Sequence, residues 1–591
     1  MNAPITIRDP AMTEALESPP RRTPAWLIEA LVRLPLIAVS LYVCVMAFDS
    51  LSTLGFRQYP LTSWESSFTV QAAALARGDA IYFPPSEPDP DSRLAMAEGD
   101  PNFAWLYHGP AANMYGPAVP HVLSWAFKFV EPTIHAGRIM TAVGAALLLV
   151  LGYFVLPRRT WSSPTALLAL VALVLANHLR ARAFFSEIRP DVVALVLFGI
   201  GLGVLWWCHD RRRFGLYPLG LALLVGAFLF KQTVAPLTAV PFLGVLLARP
   251  SGWWRKDIWL TLLCPVVILA TVQFLKIVLP NIYYYAFFMP TQWEFLEDRY
   301  WYAPWNAIVF FPIILVALGL LAALPKRLAD TRVNWLLAAT VVGWLAACVY
   351  WSKRGGSFNS YLNAWLPGSL LCAVVIGRLI TEKDLGERLR YWSIGLLMPV
   401  ALLASTFGVF KSNYFANDGG LVHGSDDWAS IIDLIERLPG EVTCPEDPTI
   451  TLFGRDRIEA TLQTETDAVA NERLPEHVRR RLARAEWIVD VNTRYSMFIE
   501  DVDIWRLGFD PVDVPMLRNT NYRLWKKLNA DPEDIAKRIR VRRRYDGPAV
   551  YHENYEPLRA GYLSDTAAWP DEPIVRPGWE PPVDEPSEAE G

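Results

Sequence analysis

The chain has 591 residues, 53% of them hydrophobic and 19% charged, with a mean hydropathy of +0.22 and a formal net charge of −4. That composition is too apolar for an ordinary soluble protein. A near-neutral charge without a polybasic arm or an RNA-binding signature gives no nucleic-acid partner.

Charged residues are sparse through the first two thirds of the chain and dense after about residue 411, so two regions meet different solvents. Cys44, Cys208, Cys264, Cys348 and Cys372 fall in apolar stretches and Cys444 stands alone in the polar tail. That pattern makes neither a disulfide framework nor a zinc motif.

Residues 1–26 mix Asp, Glu, Arg and Pro and read as a cytoplasmic tail. The apolar stretch from Trp26 to Phe48 has no small-residue cleavage site after it, which predicts a retained signal anchor. Scanned with a window of ~19 residues, the chain holds about eleven apolar segments. They fall near 27–49, 134–156, 164–179, 190–208, 214–230, 233–248, 257–279, 304–324, 334–351, 360–380 and 391–410. Lys231-Gln232 interrupts what would otherwise be one apolar run.

Basic residues set the orientation. Arg21-Arg22, Arg158-Arg159, Arg211-Arg212-Arg213, Arg255-Lys256, Lys326-Arg327 and Arg388 fall on one side, the inner one by the positive-inside rule. The outer side receives the long loop 50–133, the turn at 178–189, the loop 280–303, the turn 352–359 and the tail. In the long loop, 66–77 and 116–130 read as amphipathic helices lying in the interface. The Pro- and Asp-rich stretch 82–103 separates them.

In the tail, 411–565, the segment 429–437 (ASIIDLIER) has a helical period ended by Pro439-Gly440. Strand-like runs follow at 449–453 and 487–491, with a basic helix near 474–485 between them. Residues 566–591 are rich in Pro and Glu and read as disordered. The expected fold is therefore an α-helical integral membrane protein of about eleven transmembrane helices, with a structured first outer loop and a small soluble C-terminal α/β domain. In a bacterial host the membrane is the inner one and the C-terminal domain is periplasmic.

Ionisable residues gather at the outer segment ends: Glu65, His178, Arg180, Arg182, Glu187, Arg189, Asp191, Lys231, Lys353 and Arg354. Charges near membrane depth are costly, and these cations stand where the charge rule disfavours them. An anionic ligand held at the outer interface accounts for them most simply. A transferase using a lipid-phosphate-linked sugar needs a base for the acceptor hydroxyl, cations for the departing phosphate and a groove for the lipid. Glu65 suits the first role, and Lys231, Arg189, Lys353 and Arg354 the second.

Plainer readings stand beside these. Glu65 can be a first-turn helix acid, Asp191 a complement to the helix start after Pro190, and Lys231 a snorkelling side chain. His108 and His178 read first as hydrogen-bonded structural histidines. Tyr107, Tyr115 and Tyr283-Tyr284-Tyr285 fit an interfacial aromatic belt.

The order Trp64-Glu65, an Ala-rich helix, Gly78-Asp79-Ala80-Ile81-Tyr82 and Tyr115-Gly116-Pro117 resembles the first outer loop of the GT-C polyprenyl-phosphate-sugar glycosyltransferases. Arg189-Pro190-Asp191, Phe230-Lys231-Gln232-Thr233 and the run Lys353-Arg354-Gly355-Gly356 are similar to later motifs of bacterial members, so the resemblance covers roughly 27–410. It implies an inverting sugar transfer from a polyprenyl-phosphate donor to a glycan, lipid or protein acceptor. Glu65 would be the base, and Lys231, Arg189, Asp191, Lys353, Arg354, Tyr115 and His108 would contact substrate. Many members carry an Asp-Glu pair where this chain has Trp64-Glu65; no metal and no cofactor is indicated. A transporter or flippase of lipid-linked sugars and an envelope polysaccharide polymerase or ligase are the competing expectations. A transporter is disfavoured by the structured first loop and the lack of an inverted repeat in hydropathy.

Overall fold

A computed structural model describes residues 25–56, 63–79, 81–82, 116–181, 185–248, 254–291, 295–323, 331–353, 358–381, 387–411, 425–444, 447–456, 485–491, 509–512, 514, 517 and 522–527. The first-loop helices are α2 (Ser63–Arg77) and α3 (Ala118–Phe127). The bundle is built from α1 (Ala25–Gly55), α4 (Ile134–Val155), α5 (Pro164–Arg180), α6 (Pro190–Arg211), α7 (Tyr217–Phe230) and α8 (Val240–Ala248). It continues with α9 (Trp254–Thr261), α10 (Leu263–Val278), α11 (Glu297–Phe310), α12 (Ile313–Ala323), α13 (Thr331–Trp351), α14 (Leu362–Thr381), α15 (Glu387–Trp392) and α16 (Met398–Lys411).

Seven helical stretches among the described residues are long and apolar enough to cross a membrane, or eight if the α11–α12 pair is one broken span. The protein is a multi-pass membrane protein. Leu31, Leu34, Leu41, Val45 and Phe48 of α1 stand exposed, an apolar surface that only lipid would cover favourably.

Four apolar helices are shorter: α3, α5, the stretch Phe214–Phe230, and Gln232–Leu247. Hydrogen bonds nevertheless sort the helix ends into two groups. At one end, His178 at the close of α5 bonds Ser50 near the close of α1 at 3.1 Å, and Lys231 after α7 donates to Asp191 at the start of α6. At the other end, Trp161 Nε1 donates to Leu156 O at 3.2 Å, Tyr217 OH to Leu260 O at 2.9 Å, and Arg390 to Glu29. The stretch starting at Gln232 comes back to that second end, where Gly244 lies flat against the ring of Trp335. Arg158, Arg159, Arg211, Arg212, Arg213, Arg332 and Arg390 all belong to the second end.

The expected straight segment at 304–324 is instead broken: α11 and α12 meet at 83°. Phe311 N–H turns to Ile308 O, which releases the carbonyl of Ala307 from its helical partner. Trp365 Nε1 on α14 donates to that carbonyl at 3.1 Å, and Ser405 Oγ accepts from Ile313 N–H at 3.4 Å. Side chains from neighbouring helices thus satisfy the polar backbone of the break, as a bilayer demands. α14 is the axis of the bundle, with Trp365, Leu371, Cys372, Val375 and Ile376 fully buried.

The tail folds as a four-stranded sheet, β1 (Val442–Thr443), β2 (Trp487–Val491), β3 (Phe509–Val512) and β4 (Tyr522–Lys527), in the order β1-β2-β4-β3. β1 and β2 are parallel, and β4 runs antiparallel to both β2 and β3, pairing Val489 with Leu524. Helix α17 (Ser425–Arg437) and the strand at 487–491 match the sequence expectation. Residues 449–453 do not: they lie in helix α18 (Thr449–Arg455). Their β-branched run Thr449-Ile450-Thr451 mimics a strand, but Pro448 fixes a helical start and Asp447 accepts the Thr449 N–H at 3.2 Å. The predicted helix near 474–485 and the tail 566–591 lie outside the described residues, apart from Ala485. Trp428, Ile431, Ile435, Val489 and Leu524 share one apolar cluster with Leu54 of α1, so the sheet packs on the bundle end that carries His178 and Lys231.

Candidate functional site

Helix α2 begins at Ser63 and ends at Gly78, whose φ of +92° stops it in a backbone region that favours glycine. An interfacial helix would show one wet face. Here Glu65, Ser66, Ser67, Phe68, Thr69, Val70, Gln71, Ala72, Ala73 and Ala74 are all buried. The segment expected at 66–77 is therefore an inner strut packed among α3, α4 and α18 rather than an interfacial helix. The other expected amphipathic helix does keep two faces. On α3, Val119, Leu123 and Phe127 are buried while Val122 and Trp125 are exposed.

Glu65 sits in the first turn of α2 with no exposed surface. Arg138 Nε donates to Oε1 at 2.9 Å and Nη2 to Oε2 at 2.7 Å, a bidentate fork. The Ile188 N–H adds a third bond to Oε1 at 2.9 Å, and Arg138 Nη1 also donates to Leu54 O at 3.2 Å. One ion pair thus ties together the end of α1, the start of α2, α4 and the connection before α6. Gly137 lets this happen, because a Cβ there would lie 2.4 Å from Ile188 Cδ1. Both oxygens of Glu65 already accept from the Arg138 guanidinium, so a hydroxyl that reached this carboxylate would share it with Arg138.

Two further acid–base pairs lie next to the first. Arg189 Nε donates to Glu187 Oε2 at 2.6 Å, and its backbone N–H donates to Thr141 Oγ1 at 3.2 Å. Lys231 Nζ donates to Asp191 Oδ1. All six charged side chains are nearly or fully buried, and they lie within electrostatic reach of one another. Within these three pairs each cation is matched by a carboxylate, so the six side chains are formally neutral together. Burial pushes the Glu187 carboxyl up to about 6, with Arg189 pulling it down and Glu65 raising it. Asp191 Oδ2 is buried with no hydrogen-bond partner among the described residues.

The remaining expectations divide. Lys353 Nζ donates to Pro290 O at 3.2 Å, and a bridge between Phe295 and Lys353 stitches that loop to the end of α13. Burial lowers the Lys353 ammonium from its usual value. Among the described residues no contact joins Lys353 to Lys231 or Arg189. Arg354, Tyr115 and His108 lie outside the described residues. Gly116, next to Tyr115, presses onto Leu229 and Phe230 just ahead of Lys231; a Cβ there would stand 1.9 Å from Leu229 O. His178 follows the plainer reading: its Nδ1 accepts from Phe185 N–H at 3.2 Å, leaving Nε2–H for Ser50 Oγ. Among the described residues no group of three His, Cys, Asp or Glu could hold a metal ion.

No family model matches this chain, nor does any curated protein. It is similar to ArnT from Cupriavidus metallidurans in two crystal structures, each at 12% identity. In the apo state the TM-score is 0.46, over 82% of this chain and 97% of that one. In the form bound to undecaprenyl phosphate it is 0.48, over 84% and 98%. It is also similar to the apo oligosaccharyltransferase of Archaeoglobus fulgidus, at 12% identity and a TM-score of 0.42, over 76% of this chain and 69% of that one.

Sequence reasoning assigned no role to Arg138, and the signal for it was present: an arginine one turn into an outer span start, against the charge rule. Asp447 was missed as well. It accepts from Ser66 Oγ, Thr449 Oγ1 and, at 2.8 Å, Tyr522 OH, which pins α2 to the tail sheet. Nothing local in the sequence pairs residues so far apart.

Proposed function

We propose that the protein is a membrane glycosyltransferase that crosses the bilayer eleven times, the short helices included. It moves a sugar from a polyprenyl-phosphate-linked donor to a glycan, lipid or protein acceptor at the outer face. In a bacterial host that face is the periplasmic side of the inner membrane, and the tail sheet is a periplasmic domain. The observation that carries the reading is the set of three acid–base pairs buried together at the outer helix ends, beside a first-loop helix held rigid by one of them. Buried ionic groups at membrane depth are expensive and mark sites of function. The resemblance of the surrounding motifs to GT-C enzymes supports the choice of chemistry.

The acceptor hydroxyl attacks the anomeric carbon, the bond from that carbon to the phosphate oxygen breaks, and polyprenyl phosphate leaves with the electron pair. The configuration inverts in this single displacement. The hydroxyl proton goes to a carboxylate, and Glu187 suits this task better than Glu65, because a titration near 6 leaves it ionised yet basic at neutral pH. Glu65 acts as a positioning residue through Arg138 and the backbone of Ile188. Lys231 and Arg189 share their charge between their own carboxylates and the donor phosphate, and Lys353 and Arg354 are assigned to the same phosphate from the sequence. The unpartnered Oδ2 of Asp191 is placed to accept from a sugar hydroxyl. Tyr115 and His108 are the aromatic contacts assigned to substrate.

Loss of a specific sugar from envelope glycans or lipids in a deletion strain, read by mass spectrometry, tests the activity. Restoration by the natural chain but not by Glu187→Gln would support the assignment. Unchanged envelope glycans together with accumulation of no lipid-linked sugar would overturn it.

A further inference from the structure

A second site lies at the opposite, inner end of the bundle. There α4, α6, α13 and α14 enclose a half-open cavity of about 430 Å³, a volume within the range of small-molecule and lipid-chain pockets. Its wall is almost wholly apolar, with Leu151, Phe198, Trp207, Leu336 and Leu370 among its residues. Phe154 and Leu216 on its rim stand exposed toward the lipid side. The space is real at the level of single atoms: a Cβ built on Gly203, which lines it, would meet nothing within 4 Å.

Arg332 is the one charged side chain in the wall. It stands in the first turn of α13, at the end of the bundle that carries the inner arginines. Its guanidinium lies 5.1 Å from the centre of the Trp206 ring, and Nη1 reaches Leu156 O only at a long 3.5 Å. Among the described residues no acidic side chain pairs with it. A guanidinium at the inner interface with unspent donors, above an apolar cavity, is complementary to a phosphate carried on an acyl chain.

We propose that this cavity seats one acyl chain of an inner-leaflet phospholipid, whose phosphate is held by Arg332. The lipid would wedge α4 and α6, whose opposite ends carry Arg138 and Asp191 of the charge cluster, against α13 and α14. The inference stands on the cavity alone and not on the proposed transfer reaction.

The full-length protein, extracted in a mild detergent and titrated with phosphatidylglycerol, is to be examined by native mass spectrometry and by heating. One tightly held phospholipid is expected, together with a rise in the apparent melting midpoint. Gly203→Phe fills the cavity and Arg332→Gln removes the cation; each should weaken retention about tenfold, while Arg332→Lys keeps most of it. Neither residue belongs to the outer charge cluster, so sugar transfer should persist in both variants. Gly203→Leu replaces the phenylalanine variant if that one misfolds. Equal lipid retention by the natural chain and both variants would overturn the site. So would polyprenyl phosphate as the molecule retained, since the cavity would then belong to the donor.

Discussion

Breaking the Glu65–Arg138 fork is expected to cost stability first and activity second. Both side chains are buried, at 0% and 4% exposure, and joined by two hydrogen bonds. Removing one partner of such a pair leaves an uncompensated buried charge, a loss of about 3–5 kcal/mol. Arg138→Met leaves the Glu65 carboxylate with the Ile188 N–H while its guanidinium fork is gone. Glu65→Gln presents an amide N–H to an arginine N–H where an acceptor stood. The double variant Glu65→Gln/Arg138→Met removes both charges, and its loss should fall short of the sum of the singles by at least about 2 kcal/mol. The assay is the fraction of monodisperse protein surviving a heat step in detergent, scored by size exclusion across the natural chain and the three variants. Because unfolding of such proteins is rarely reversible, the comparison is between apparent midpoints at one heating rate. If Glu65→Gln melts like the natural chain and yet has lost all transfer, Glu65 belongs to the chemistry and the positioning role is refuted.

Glu187→Gln leaves the buried Arg189 guanidinium without its carboxylate, so it should lower the melting midpoint and abolish transfer in the protein that stays folded. In the natural chain the transfer rate should fall as pH drops through about 6, since protonation of Glu187 removes the base; a rate constant down to pH 5 would contradict this. Lys231→Met strands Asp191 at the start of α6 and should cost about 3–5 kcal/mol, a loss that Asp191→Asn in the same chain should partly relieve, as read by the same heat step. Gly116→Ala puts a methyl group against the Leu229 carbonyl. It should destabilise the chain by about 1–3 kcal/mol and raise KM for the donor more than it lowers kcat. Burial raises the Asp447 carboxyl despite its hydroxyl partners. The docked tail therefore favours the protonated form, and docking should be tightest at low pH and weaken as pH rises through that raised titration. Protease accessibility of the tail measured against pH checks the direction.

The bundle was legible in outline because lipid-facing helices need a sustained apolar run, and seven or eight helical stretches among the described residues are long and apolar enough to cross a membrane. The break at Phe311 was not legible: its cause is a set of side chains from α14 and α16 that take up the freed backbone groups, and no local signal in 304–324 announces them. The site was legible as a list of charges at outer segment ends, but not as pairs. Which carboxylate meets which cation depends on the close approach allowed at Gly137 and Gly116, and the burial and pairing of Glu65 with Arg138 follow from that approach. The misread strand at 449–453 has a similar origin, because a β-branched run alone does not separate a strand from a short buried helix.

The bond from Ser66 to Asp447 joins positions 381 residues apart in the chain, and this sets an order of assembly. Helix α2 emerges early in synthesis, yet its polar groups and those of Thr449 and Tyr522 find their partners only after the last bundle helix and the tail strands have been delivered to the same side. A chain halted before Ser425 would insert its helices and still leave the first loop without its lid of sheet. The tail thus serves as the closing piece of a structure begun by residue 63, reached only when the last part of the chain is made.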